Sequence, residues 1–408
     1  MNLKMRFVEN WGRLDMKCKL CDICSFRKGK VEVKNLNTQN YISTENMLPK
    51  KGGITEASSL PTVALTQEYK NGDILVSNIR PYFKKIWQAK YDGGCSNDVL
   101  VFVPKYNTDR NFLYYVLADD DFFAYSMATS RGTKMPRGDK TSIMQYEVPR
   151  VDLHTQKRIA SILKALDEKI ELNIAINNNL EQQAKVLFKS WFIDFEPFGG
   201  VQPPEMKFIP LQELCKVVTK GTTPTTLGKP FTSSGINFIK AESILDNHSI
   251  DSSKFAFVDE ETNALLKRSV IKANDIVFTI AGTLGRFAMV DNTVLPANTN
   301  QAVAIIRPDE NKVTPSYLYS FFIGNWHNEY YSKRIQQAVQ ANLSLTTIKS
   351  LPIAVLSNAT MNNYNELVSP LFALMKSNEE ENRRLSELRD TLLPKLMSGE
   401  LDVSTINL

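Results

Sequence analysis

Three cysteines at even spacing, Cys18, Cys21 and Cys24 in the run CKLCDIC, are the most suggestive metal-binding group in this 408-residue chain. A tetrahedral zinc site needs four soft ligands. Neither Cys95, Cys215 nor any of the three histidines (His154, His248, His327) supplies a second ligand pair nearby in sequence. The cysteines are therefore expected to be small buried thiols in a reducing compartment, and no metal site is assigned. Three histidines also leave little room for imidazole-based acid–base chemistry.

Other catalytic patterns fail on spacing. In KGTTPTTLGKP, six residues separate Gly221 from Gly228, and Pro230 follows Lys229. A phosphate-wrapping P-loop needs four residues in that gap and Ser or Thr after the lysine, to hold Mg²⁺. The Asn-Pro-Pro-aromatic tetrapeptide of amino-methyltransferases is missing. The acids and lysine of PDENK at 308–312 are too crowded for a nuclease cluster, and no nucleophile elbow or zinc-protease motif occurs. The chain is expected to bind rather than to catalyse.

What it could bind is written in its basic residues. Net charge is +5, but residues 1–153 hold 23 Lys and Arg against 17 Asp and Glu, while residues 200–358 hold 15 against 13. NIRPYFKKIWQAK at 78–90 sets Arg80, Lys84, Lys85 and Lys90 among Tyr82, Phe83 and Trp87. TSRGTKMPRGDK at 129–140 offers Arg131, Lys134, Arg137 and Lys140 among glycines. Such segments suit phosphate contacts together with a few arginine-to-base hydrogen bonds. The later part offers a different set: Lys220, Thr222 and Thr223 in one loop, Lys240, Arg286, and Gln340 in the amide-rich RIQQAVQAN. Ordinary solvated charge remains the alternative for each residue singly.

Behind these segments stands an internal repeat. KLCDIC at 19–24 corresponds to PLQELC at 210–215, and YISTENML at 41–48 to FIKAESIL at 238–245. YKNGDILVSNIRPYFKKIWQA from Tyr69 answers IKANDIVFTIAGTLGRFAMV from Ile271; SNDVLVFVP answers NQAVAIIRP. No single match is strong, but their order is shared, and the offset settles at 205 through to the end. Each unit of about 200 residues opens as mixed α/β. Short β-rich runs such as DILVSN and VLVFVP, and DIVFTI and AVAIIR, lie between turn signals. A short helix is expected at 111–128 and at 315–334.

The end of each unit changes period. Ile159, Leu163, Leu166, Ile170, Asn173, Asn177, Leu180, Ala184, Leu187 and Trp191 follow alternating steps of four and three. Tyr364, Val368, Leu371, Met375, Asn378, Asn382, Leu385, Arg389, Leu392 and Leu396 repeat the pattern. A heptad sustained this long predicts paired helices, with a buried bundle helix as the alternative. Pro394 is expected to kink or end the second helix. If the two pair antiparallel, with residue numbers summing to about 555, Asn173 meets Asn382, Asn177 meets Asn378 and Trp191 meets Tyr364. Buried asparagine pairs fix register at some cost in stability; a solvated edge is the alternative.

A composition of 43% hydrophobic and 23% charged residues suits a globular protein of two or three domains. There is no apolar run long enough to span a membrane and no signal-peptide pattern at the start, so a cytoplasmic location is expected.

With QKRIASIL at 156–163, LFKSWFIDFEPF at 187–198 and LRDTLLPKLMSGEL at 388–401, the chain resembles the specificity subunit of type I restriction–modification systems. YISTENMLPKKGGI and GDILVSNIRPYFKKIW are similar to that family's target-recognition domains. The resemblance covers essentially the whole chain. It departs at Met135-Pro136-Arg137-Gly138, where the family loop is usually more polar and less basic.

The resemblance implies an α/β (α+β) fold. Two tandem target-recognition domains, at 1–153 and 208–358, would be separated by antiparallel conserved helices at 154–193 and 359–401. The linker would be 194–207 and the tail 402–408. It further implies double-stranded DNA and two methyltransferase subunits as partners, with restriction subunits in the full complex. The chain itself would need no cofactor; S-adenosylmethionine, ATP and Mg²⁺ would sit on the partners.

A helix from Ile159 to Trp191 would be roughly 50 Å long at ~1.5 Å per residue. Domains at its two ends would suit major-groove sites about one helical turn, ~34 Å, apart. Because the repeats differ in their basic residues, the DNA site is expected to be asymmetric and bipartite. Two rival readings are a structural coiled-coil adaptor and the recognition part of a single-chain restriction–methylation enzyme. The latter would need catalytic motifs upstream, and the chain is expected to start too close to its first domain for them.

Overall fold

Two stretches without an exposed residue, Ile74–Ser77 and Ile276–Thr279, are inner strands of two four-stranded antiparallel sheets in the computed structural model of the protein. The structure describes residues 17–328, 330–331, 342–401 and 403. The first sheet runs in the order Cys24–Phe26, Val99–Pro104, Ile74–Ser77, Ile86–Gln88. The second repeats it as Cys215–Lys220, Val303–Pro308, Ile276–Thr279, Phe287–Met289. Register is kept as well. Ile74 pairs with Phe102 and Ile276 with Ile306, positions that the sequence repeat aligns.

In the two inner strands residues 74–76 and 276–278 are apolar because both faces are covered, and successive side chains point to opposite faces. Ile74, Val76, Leu100 and Phe102 enter a core shared with helices, while Leu75, Trp87, Val99 and Val101 enter another. Ile276, Phe278, Ala304 and Ile306 divide from Val277, Ala288, Val303 and Ile305 in the same way. Each unit adds a second sheet, of four strands in the first and three in the second, containing one parallel pair, Ile42 beside Cys95 and Ile239 beside Thr299. Both repeats also bury an aspartate that caps a turn. Asp73 accepts from the Lys70 N–H at 2.8 Å and Asp275 from the Lys272 N–H at 2.8 Å. The arginine neutralising it differs in origin: Arg27 donates to Asp73 at 2.8 Å, whereas Arg307 reaches Asp275 at 2.7 Å from another strand.

The expected helix at 111–128 is two helices, Arg110–Ala118 and Asp120–Ala128. Asp119 interrupts it by turning its carboxylate onto the Asp121 N–H at 3.1 Å, the competition with helical backbone that makes aspartate a good N-cap. In the second unit the counterpart is Pro315–Ile323; of the remaining stretch, 329 and 332–334 lie outside the described residues.

Two 40-residue helices, Leu153–Phe192 and Asn358–Met397, carry the predicted seams. Asp152 starts the first by accepting from the His154 and Thr155 N–H groups at 2.8 and 3.0 Å. Every seam position is buried or half-buried. Pro370 lies inside the second helix, off the seam. Its missing N–H leaves the carbonyl of exposed Glu366 to water, and the helix runs on. Pro394 likewise sits within the last turn, which reaches Met397.

By contacts the chain forms two compact units, one of residues up to Asn173 with those from Glu380, the other Ile174–Glu379. In the first, Asp167 accepts from Arg389 at 2.8 Å, and Leu393 and Leu396 join the core of Ile159 and Leu163. In the second, Trp191 meets Tyr364 edge-on at 5.6 Å between ring centroids, as the pairing rule predicts.

Candidate nucleic-acid interface

In the first unit three loops meet. The hairpin pairing Arg131 with Arg137, with N–H to C=O distances of 2.9 and 3.0 Å, folds onto segment 78–80. The Arg80 N–H donates to the Pro136 carbonyl at 2.8 Å and the Gly138 N–H to that of Asn78 at 3.2 Å. A Cβ at Gly138 would come within 2.9 Å of Ile143, Asn78 and Ser126, so only glycine lets the loop seat this closely. The third loop joins where the Lys50 and Lys51 N–H groups donate to the Phe83 and Lys84 carbonyls, each at 2.8 Å.

The predicted residues are not equally available there. Arg137 and Arg131 project into solvent, contacting Asp98 at 3.2 Å and Asp139 at 3.2 Å. Lys134 and Lys140 are exposed. Lys84 and Lys51 share Asp120 at 2.7 and 3.0 Å. Burial raises the pKa of that carboxyl, but the two ammonium groups outweigh it and hold the group below its ordinary range. Lys85 is directed inward and donates to the Thr44 carbonyl at 2.6 Å; desolvation lowers its pKa. Arg80 has a buried Nε with no hydrogen-bond partner. Tyr82 and Phe83 stand exposed beside the patch, whereas Trp87 is core.

The second unit builds the same junction from other side chains. The Ile280 N–H donates to the Ala302 carbonyl at 2.8 Å as the Asn78 N–H does to that of Asp98 at 2.8 Å. The Leu343 N–H reaches the Ile280 carbonyl at 2.9 Å, duplicating the Gly138 contact. Loop 220–223 rests on residues 299–301, where a Cβ at Gly221 would strike the Thr299 carbonyl at 1.9 Å. Lys220 and Thr222 lie beside Arg268, and Thr223 bonds Gln301. Lys240 pairs with Glu242 at 2.9 Å. Arg286 is held by both oxygens of Asp246 at 2.6 Å. Gln340 lies outside the described residues.

Sequence reasoning missed Lys51, Asp98, Arg268 and Gln301. Only the first left a signal. Lys50-Lys51-Gly52-Gly53 reads as a turn, and both lysines adopt positive φ. Of the three clustered cysteines Cys18 and Cys21 are half-buried and Cys24 is buried: Cys24 donates to the Leu20 carbonyl at 3.3 Å and burial pushes its thiol up to about 12. Among the described residues no His, Cys, Asp and Glu cluster could hold a metal ion, and no helix is long and apolar enough to cross a membrane.

Comparison with known proteins accounts for this duplicated arrangement. Residues 15–182 and 203–381 each match the type I restriction modification DNA specificity domain. The chain belongs to that family. It is 27% identical to the specificity subunit of the type I restriction enzyme HindI of Haemophilus influenzae, over 88% of this chain and 94% of that one. It is 25% identical to the MjaIX specificity subunit of Methanocaldococcus jannaschii, over 74% and 72%. The crystal structure of a type I restriction–modification S subunit from M. genitalium shares the fold, with a TM-score of 0.58 at 18% identity, covering 97% of this chain and 99% of that one. As a DNA-specificity subunit, the chain has a recognition role rather than a catalytic one. Its partners are DNA and the other subunits of such a system.

Proposed function

We propose that the two repeats read the two halves of one asymmetric, bipartite DNA site, and that the helix pair fixes the unread gap between them. The reading is carried by one observation: the same loop junction is built twice, with two equivalent backbone hydrogen bonds and different side chains. Arg131, Lys134, Arg137 and Lys140 serve the first half-site. Lys220, Thr222, Thr223, Lys240 and Arg286, with Gln340, serve the second. Phosphate contacts position each domain, and a few arginine and amide contacts to base edges specify sequence.

On this proposal two methyltransferase subunits dock on the chain, and restriction subunits join the full complex. S-adenosylmethionine, ATP and Mg²⁺ belong to those partners, so the purified chain alone transfers no methyl group. Methylome sequencing of a host with and without the gene tests the reading. Loss of one asymmetric, two-part methylated motif supports it. An unchanged methylome would leave the helices as a structural adaptor instead.

A further inference from the structure

We propose that Asp98 and Arg137 act as one unit that recognises a single G·C base pair in the first half-site. Asp98 aims the guanidinium and itself accepts from the cytosine amine. The inference rests on the DNA-binding reading above.

Arg137 Nη2 lies 3.2 Å from Asp98 Oδ1 and 3.3 Å from Oδ2. Its Nε and Nη1 have no partner among the described residues. The arginine side chain is 56% exposed and the aspartate 35%, so a ligand can reach both. Neither backbone is free to drift. The Asn78 N–H donates to the Asp98 carbonyl at 2.8 Å, and the Asp98 N–H reaches Ser96 Oγ at 3.3 Å. Arg137 is pinned to Arg131 on one side, and its neighbours Pro136 and Gly138 bond to segment 78–80 on the other. One edge of the guanidinium is therefore held while the rest stays available, from a fixed origin.

Chemistry selects the target. In the major groove guanine presents two adjacent acceptors, N7 and O6, and its cytosine presents an N4 amine donor. A guanidinium donor beside a carboxylate acceptor is the complement of that edge. A backbone phosphate fits poorly at the carboxylate. Asp98 lines a cleft of about 480 Å³ with Ser43, Thr44, Glu45, Asn46 and Ser96, and no lysine or arginine lines it. Arg286 contrasts with this. It gives Nε and Nη2 to Asp246, and Nη1 faces the Ile244 carbonyl at 3.4 Å.

The test uses the complete modification complex, carrying Asp98→Asn, Asp98→Ala, Arg137→Ala or the Asp98→Ala/Arg137→Ala pair, with the methylated motif mapped for each. Each single change should widen the same G·C position of the first half-site, with discrimination there falling about five- to a hundred-fold. The second half-site should be untouched, and the double variant should be no less specific than Arg137→Ala. Binding by the Asp98→Asn complex should keep its salt dependence. Should the Asp98 variants fail to fold, Arg137→Lys asks the same question, because lysine keeps the charge but not the fork; it should widen the same position. A folded, active set of variants with the original motif would overturn the proposal. So would uniformly weaker binding by Arg137→Ala with a shallower salt slope, which marks a phosphate contact. If the unaltered complex reads no bipartite motif, the broader reading falls instead.

Discussion

Asn173 donates its side-chain amide to Asn382 Oδ1 at 2.9 Å and to Glu381 Oε2 at 2.7 Å, at a position with no solvent exposure. Asn378 donates to Asn177 Oδ1 at 2.8 Å, and Asn177 to the Met375 carbonyl at 3.1 Å. Asn173 Oδ1 itself is buried without a partner. Polar layers that leave an acceptor unsatisfied are a cost a purely stabilising seam would avoid, so their value lies in fixing register.

Removing one partner should therefore hurt more than removing both. Asn173→Ala, which strips the donor from Asn382 and Glu381, is expected to cost about 1–3 kcal/mol. Replacing Asn173 and Asn382 together by leucine should be near neutral, or stabilising. Thermal melts of the two variants decide it. A double variant destabilised as much as the single one would remove the register argument.

The basic loops should separate into two classes by salt. Arg80→Ala or Arg137→Ala is expected to weaken DNA binding. A lost phosphate contact acts alike on every sequence and lowers the salt slope, while a lost base contact relaxes one position by about 1–3 kcal/mol. Titrations at several salt concentrations, against cognate and scrambled duplexes, report which. Full affinity in both folded variants would return these residues to ordinary surface charge.

A longer helix pair should lengthen the recognised gap. One heptad inserted after Leu180, with its facing complement before Met375, keeps the seam on one face. It adds ~10 Å at ~1.5 Å per residue, or about three base pairs at ~3.4 Å each. Because DNA twist and subunit docking also constrain the spacing, the expected gain is one to three, with both half-sites retained. Motif mapping of the lengthened variant checks this. An active variant with the original gap would show that the helices are not the ruler.

Stability of the second unit should fall with mild acid. Burial pushes His327 down to about 3, with the His248 charge adding to the effect, and neither ring nitrogen has a hydrogen-bond partner. An unfolded histidine takes up its proton near pH 6.5. Stability is thus full above that value and is lost as pH falls from about 6.5 toward 3, with a limiting slope of about 1.4 kcal/mol per pH unit. Between pH 6.5 and 5, before most carboxylates titrate, His327→Phe should flatten the dependence. An identical slope in that variant would assign the effect elsewhere.

The ion pair under the second sheet should be costly to halve. The Asp275 side chain is fully buried against Arg307. Arg307→Leu would leave that carboxylate uncompensated and should destabilise by about 3–5 kcal/mol. Arg307→Leu combined with Asp275→Leu should recover part of the loss in a thermal melt.

Features that repeat along the chain are legible from residue order alone. The steps from Ile159 to Trp191 and from Tyr364 to Leu396 locate both seams, because a helix returns a face to its partner every three or four residues. The same arithmetic placed Asn173 against Asn382 and Trp191 against Tyr364. The β-rich runs DILVSN and DIVFTI marked strands, and both prove to be inner strands of their sheets. Tertiary structure alone decided the break at Asp119, the inward turn of Lys85 and the pairing of Arg137 with Asp98, 39 residues away. It also chose Arg27 for Asp73 but Arg307 for Asp275, although the two aspartates occupy equivalent turns. A carboxylate drawn out of water takes whichever cation the packed sheet brings within reach, and no periodicity in the chain records that choice.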